Sequence, residues 1–131
     1  MLNLAPIKYA QVLSEYGGPV GRVEYAPAKV LGMDCTQAVA YLREGLFPES
    51  VRPKTLTSQP DGAGSHKSAQ VACHMAVSEA LERWAVLHCR ANPGSLSCAM
   101  EIDGSSNGFA AFPGLFKRQA RKAALRESIE R

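Results

Sequence analysis

Residues 67–91 contain neither glycine nor proline and are rich in alanine, and no other feature narrows the possible folds as much. Gly and Pro are the costliest residues in a helix interior and Ala the cheapest, so this run is predicted to be one unbroken helix. At 1.5 Å per residue it would span roughly 37 Å. Its apolar positions Ala72, Val77, Ala80, Leu81, Trp84 and Leu87 cover most of the circumference, which predicts burial on several sides. Asn92-Pro93-Gly94 ends it.

The flanking segments read as strands and loops. Gly17-Gly18-Pro19 is a turn signal that separates a weakly organised N-terminal extension, residues 1–17, from a domain spanning 18–131. Val20 to Tyr25 alternates apolar and polar residues as a half-buried strand does, and a turn is expected around Pro27. The segment 36–42 repeats the alternation with strand-forming residues. Between 44 and 63, prolines at 48, 53 and 60 break any regular element, leaving either an active-site loop or a linker. Strands are expected at 97–102 and 109–112, and a last helix after Pro113-Gly114, packing through Ala120, Ala123, Ala124 and Ile129. The resulting order, β-β-α-β-β-α, is an α+β fold of mixed strands with two principal helices.

Both helices carry the same grammar, Glu79-Ala80-Leu81-Glu82-Arg83 and Glu127-Ser128-Ile129-Glu130-Arg131. Residues three apart share a helix face, so each copy sets two carboxylates side by side with an arginine next to them. Like charges so placed repel, and a cation between them, such as Mg²⁺ carrying a polyphosphate, would resolve the repulsion. A solvated surface face is the plainer reading of either copy alone. The surroundings favour the cation: Gly62-Ala63-Gly64-Ser65-His66-Lys67-Ser68 leads into the first helix as a small-residue loop with a lysine, and the polar 103–108 loop precedes the second block. On the first helix Met75, Glu79 and Glu82 fall on one line, and carboxylates held near a core need a partner.

These paired blocks resemble the YcaO-type ATP-dependent enzymes. In that family a Gly-Lys-Gly loop feeds a helix carrying Ser-x-x-x-Glu-x-x-Glu-Arg, to which Gly64 to Arg83 is similar. The second block of the family is similar to Ser106-Asn107-Gly108-Phe109-Ala110-Ala111 followed by the helix ending at Arg131. Gly21-Arg22-Val23, Leu31-Gly32-Met33 and Gln37-Ala38-Val39 look like its entry region. The likeness runs from about residue 18 to residue 131, and two blocks in order are far more specific than one. Three positions depart from the pattern: Met75 stands where the family has serine, Lys67 is displaced within its loop, and Gln119 replaces a glutamate. Family members continue for hundreds of residues, so the expectation is an N-terminal portion or a truncated, divergent member.

The resemblance implies ATP and Mg²⁺ as cofactors and a peptide or protein as substrate. It implies a cyclodehydratase or thioamidation enzyme in peptide modification, thiazole and oxazole biosynthesis included, in which ATP activates a backbone amide. Glu79, Glu82, Glu127 and Glu130 would hold Mg²⁺ and the nucleotide, Lys67 and Arg131 would contact phosphate, and Gln119 would be a weakened ligand. No residue stands out as general base or nucleophile. A partner protein that supplies substrate recognition is compatible with this reading, as is a homo-oligomer. The alternative is a non-catalytic module derived from the family that binds a partner or leader peptide, favoured by Met75 and the displaced lysine.

Composition removes other classes. With 46% hydrophobic and 21% charged residues the chain is neither disordered nor membrane-spanning by composition, and no signal peptide opens it, so a cytoplasmic protein is expected. Cys35, Cys73, Cys89 and Cys98 form no Cys-x-x-Cys and read as buried thiols. Cys73-His74 and His88-Cys89 are adjacent pairs, expected to point to different helix faces, which argues against a shared metal. A net charge of +3 does not by itself call for nucleic acid, and no aromatic residues interleave Lys117, Arg118, Arg121, Lys122 and Arg126 as base-stacking would need. That basic stretch is a solvated face, or serves a phosphate or an acidic partner in a small helical regulator.

Overall fold

The computed structural model describes residues 10–52 and 59–92, together with Lys122, Leu125 and Arg126. Within them the chain is a mixed α+β arrangement: three antiparallel strands in the order β1-β2-β3, with one long helix across one face. Strand β1 is Val20–Val30, β2 is Met33–Leu42 and β3 is Gly62–His66. Helix α1 is Ala69–Ala91, as the breaker-free run predicts. A short 3₁₀ turn, Ser14–Tyr16, precedes the sheet, and Leu13 forms a parallel bridge to Val20.

Two expectations about local structure are corrected. Pro27 does not turn the chain; it sits inside β1 opposite Thr36. An edge strand tolerates proline because one row of its N–H groups faces away from the sheet. The reversal comes later, at Leu31-Gly32, where φ values of +51° and +77° close a two-residue hairpin between Val30 and Met33. The second correction is larger. Gly62 to His66 is not a loop that feeds the helix but the third strand, paired with β2 from Ala40↔Gly62 to Thr36↔His66.

The register puts Val23 and Tyr25 of β1, Ala38, Ala40 and Leu42 of β2, and Gly62 and Gly64 of β3 on the face toward α1. The helix answers with Ala72, Ala76 and Ala80, spaced i, i+4, i+8 and fully buried. Glycine is required where these stripes meet. A Cβ on Gly62 would overlap the Ala76 carbonyl oxygen, and one on Gly64 would lie 2.5 Å from the Ala72 carbonyl oxygen and from Met75 Cβ. Val77, Leu81 and Leu87 widen the buried face, while Val71, Met75, Arg83 and Arg90 are exposed. With Cys89 the buried positions run from the alanine stripe round to the opposite side of the helix, so several sides are covered, as the apolar pattern predicts. Val20 and Val77 are the largest fully buried side chains among the described residues, so the core is built mainly of alanine and glycine at close range.

The far face of the sheet is open and more polar. There Arg22 lies 4.0 Å over the Tyr41 ring and pairs with Glu24 at 2.8 Å. The strands expected at 97–102 and 109–112 lie outside the described residues, as does most of the last helix. Lys122, Leu125 and Arg126 are helical and exposed.

Candidate functional site

Helix α1 divides the chemistry of the described residues between two flanks. At 100° per residue, Met75, Glu79 and Glu82 lie on one side of the alanine stripe, and Gln70, Cys73, His74 and Val77 on the other. The first flank overhangs β3 and the second overhangs β1.

On the β3 flank, Glu79 Oε2 accepts a hydrogen bond from the Ala63 backbone N–H at 2.8 Å. Among the described strands β3 is at an edge, and this carboxylate satisfies a donor that β2 does not pair. The expected need of Glu79 for a partner is met at Oε2 by backbone. Glu82, half-buried, lies one turn further along the same line. Lys67 is exposed between β3 and α1. Beside it His66 Nδ1 accepts from the Ser68 N–H at 2.9 Å, and Ser68 caps the helix through its carbonyl, bonded to the Ala72 N–H at 3.0 Å. Gln119, Glu127, Glu130 and Arg131 lie outside the described residues, so the structure neither brings them to this flank nor separates them from it. Among the described residues no three potential metal ligands of the His, Cys, Asp and Glu types come together. Two carboxylates nonetheless suit Mg²⁺, which usually takes one or two from protein and fills its octahedron with water and phosphate oxygens.

On the β1 flank, Leu13, Tyr25, Gln70, Cys73, His74 and Val77 line a recess of about 390 Å³. Hydrogen bonding with Cys73, and then burial, hold the Tyr25 phenol protonated, raising its pKa from 10.0 to about 12. Burial lowers the pKa of His74. Cys73 and His74 were expected on different helix faces; both line this recess because it wraps more than 100° of the helix. The expected buried thiols are a buried Cys89 and half-buried Cys35 and Cys73, none of them in a disulfide, while Cys98 lies outside the described residues.

A third cluster escaped the sequence. Asp61, 4% exposed, accepts the Leu42 N–H at 2.7 Å and takes Arg52 Nη2 on both oxygens at 2.8 and 2.7 Å. Asp61 thereby fastens the 43–60 connection to the end of β2. Pro60-Asp61-Gly62 carries a turn signature, which hid this role; a buried acid is visible only with its partners.

Compared with family models, curated proteins and solved structures, the chain matches none. No described helix is long and apolar enough to cross a membrane.

Proposed function

We propose that this chain is a portion of a YcaO-like enzyme and supplies one side of an ATP and Mg²⁺ site that activates a peptide backbone amide. The observation that carries the reading is Glu79: a carboxylate fixed through Oε2 to a strand edge presents its other oxygen in a set direction, with Glu82 beside it. Fixed ligands of this kind are what phosphoryl transfer asks of a protein, since positioning and charge neutralisation do most of the work. Glu79 and Glu82 would hold Mg²⁺, and Lys67 would contact phosphate from the start of α1. Glu127 and Glu130 would approach the ion from the second block, with Gln119 and Arg131 toward the nucleotide. Bound there, the nucleotide supplies the phosphoryl group that makes an amide oxygen a leaving group, so that azoline or thioamide products form. A peptide or protein is the substrate in this reading, in a fold completed by a second helix.

A second reading, a non-catalytic module that binds a partner or leader peptide, is favoured by the glycines of β3. Gly62 and Gly64 pack against helix backbone, so they are committed to the core where a phosphate cradle would have used them. Calorimetric titration of the whole chain with Mg-ATP separates the two. Heat at millimolar nucleotide that is lost in Glu82→Gln supports the enzyme; no heat from the unmodified chain removes it and leaves the module.

A further inference from the structure

The recess on the β1 flank is independent of the nucleotide reading, being on the other side of the buried alanine stripe from Glu79 and Glu82. Its volume of about 390 Å³ falls within the ~300–1,000 Å³ typical of small-molecule sites. Its walls are mostly apolar, from Leu13, Val77 and the Tyr25 ring, and its polar groups, the Tyr25 hydroxyl, the Cys73 thiol, the His74 imidazole and the Gln70 amide, converge from two elements. Among the described residues no Lys, Arg, Asp or Glu lines it. We propose that this recess binds a small, uncharged, largely apolar molecule whose one hydrogen-bonding group faces Tyr25 and Gln70.

The choice of an uncharged ligand follows from the lining. An ion moved from water into an apolar recess needs an opposite charge or several aligned donors, and the described lining residues supply neither. His74 is biased toward its neutral form by burial, and Tyr25 stays protonated up to about pH 12. A neutral group can exchange one hydrogen bond with water for one with the Tyr25 hydroxyl or the Gln70 amide, and the apolar remainder supplies the binding energy.

Cys73 makes the site readable, because a bound molecule shields its sulfur. The probe is the uncharged fluorophore N-phenyl-1-naphthylamine, with its anionic relative 8-anilino-1-naphthalenesulfonate as comparison, added to the full chain during alkylation by iodoacetamide. Peptide mass mapping then follows Cys73, with half-buried Cys35 on β2 as internal control. At ten times its Kd the neutral probe is expected to slow Cys73 alkylation about tenfold by mass action, leaving Cys35 unchanged. Ala69→Trp and Gln70→Trp, at exposed positions on the rim, should each weaken probe binding while retaining the helical circular-dichroism signal. Unchanged alkylation of Cys73, equal slowing of Cys35, equal protection by the anionic probe, or undiminished affinity in both folded tryptophan variants would overturn the proposal.

Discussion

Replacing Asp61 with alanine would strand two groups at once, the Leu42 N–H and the Arg52 guanidinium, both of which it holds at 2.7 Å. Arg52 is about one-third exposed and can turn to water, whereas Leu42, 4% exposed, cannot offer its N–H elsewhere. Unfolding in urea should therefore show Asp61→Ala losing about 3 kcal/mol, Asp61→Asn less because an oxygen remains for Leu42, and Arg52→Gln about 1 kcal/mol. His74 gives a pH signature. Its folded pKa lies below the ordinary value of 6.5, so the unfolded chain binds more protons in between. The associated stability is present above pH 6.5 and is lost as pH falls through the folded pKa. His74→Gln should flatten the stability profile on the acid side of pH 6.5, and an unchanged acid slope would count against a buried His74.

At the scale of elements, the contact between β3 and α1 sets the strictest tolerance. Gly62 faces Ala76 and Ala80 backbone atoms that cannot move without bending the helix, so Gly62→Ala should cost about 2–3 kcal/mol, read as a lowered urea midpoint. A flexible side chain at the same place would have yielded more cheaply. The β1–β2 hairpin offers the opposite sign. Leu31 holds φ +51° while 94% exposed, so it carries left-handed strain and returns no burial. Leu31→Asn creates the Asn-Gly pair that this turn prefers and should stabilise by roughly 1 kcal/mol, measured the same way. Neither effect could be ranked from composition: both glycine positions look like turn formers in sequence, and only one of the two segments turns.

At the scale of the whole molecule, the question is whether carboxylates from two distant blocks meet on one ion. Double-mutant cycles on Mg-ATP affinity answer it, because substitutions that share a ligand are coupled and distant ones add. If the blocks converge, Glu82→Gln and Glu130→Gln should show a coupling energy of roughly 1 kcal/mol or more, and simple additivity would separate them. The sequence by itself determined the elements whose physics is local. The helix needed only the absence of breakers over 67–91; period-two alternation marked the first two strands over 20–25 and 36–42, but not their continuation through Pro27 to the hairpin at Leu31-Gly32. Tertiary structure alone decided what the short, featureless pieces do. Gly62 to His66 has almost no side-chain pattern and becomes a strand only because β2 offers its edge and an alanine-lined helix approaches closely enough to exclude a Cβ. Asp61 is an acid in a turn until Leu42 and Arg52 arrive, and Cys73 and His74 share a recess only once Tyr25 and Leu13 close its other wall. Periodicity records what a residue does along its own element; it carries no record of which backbone comes to lie against it.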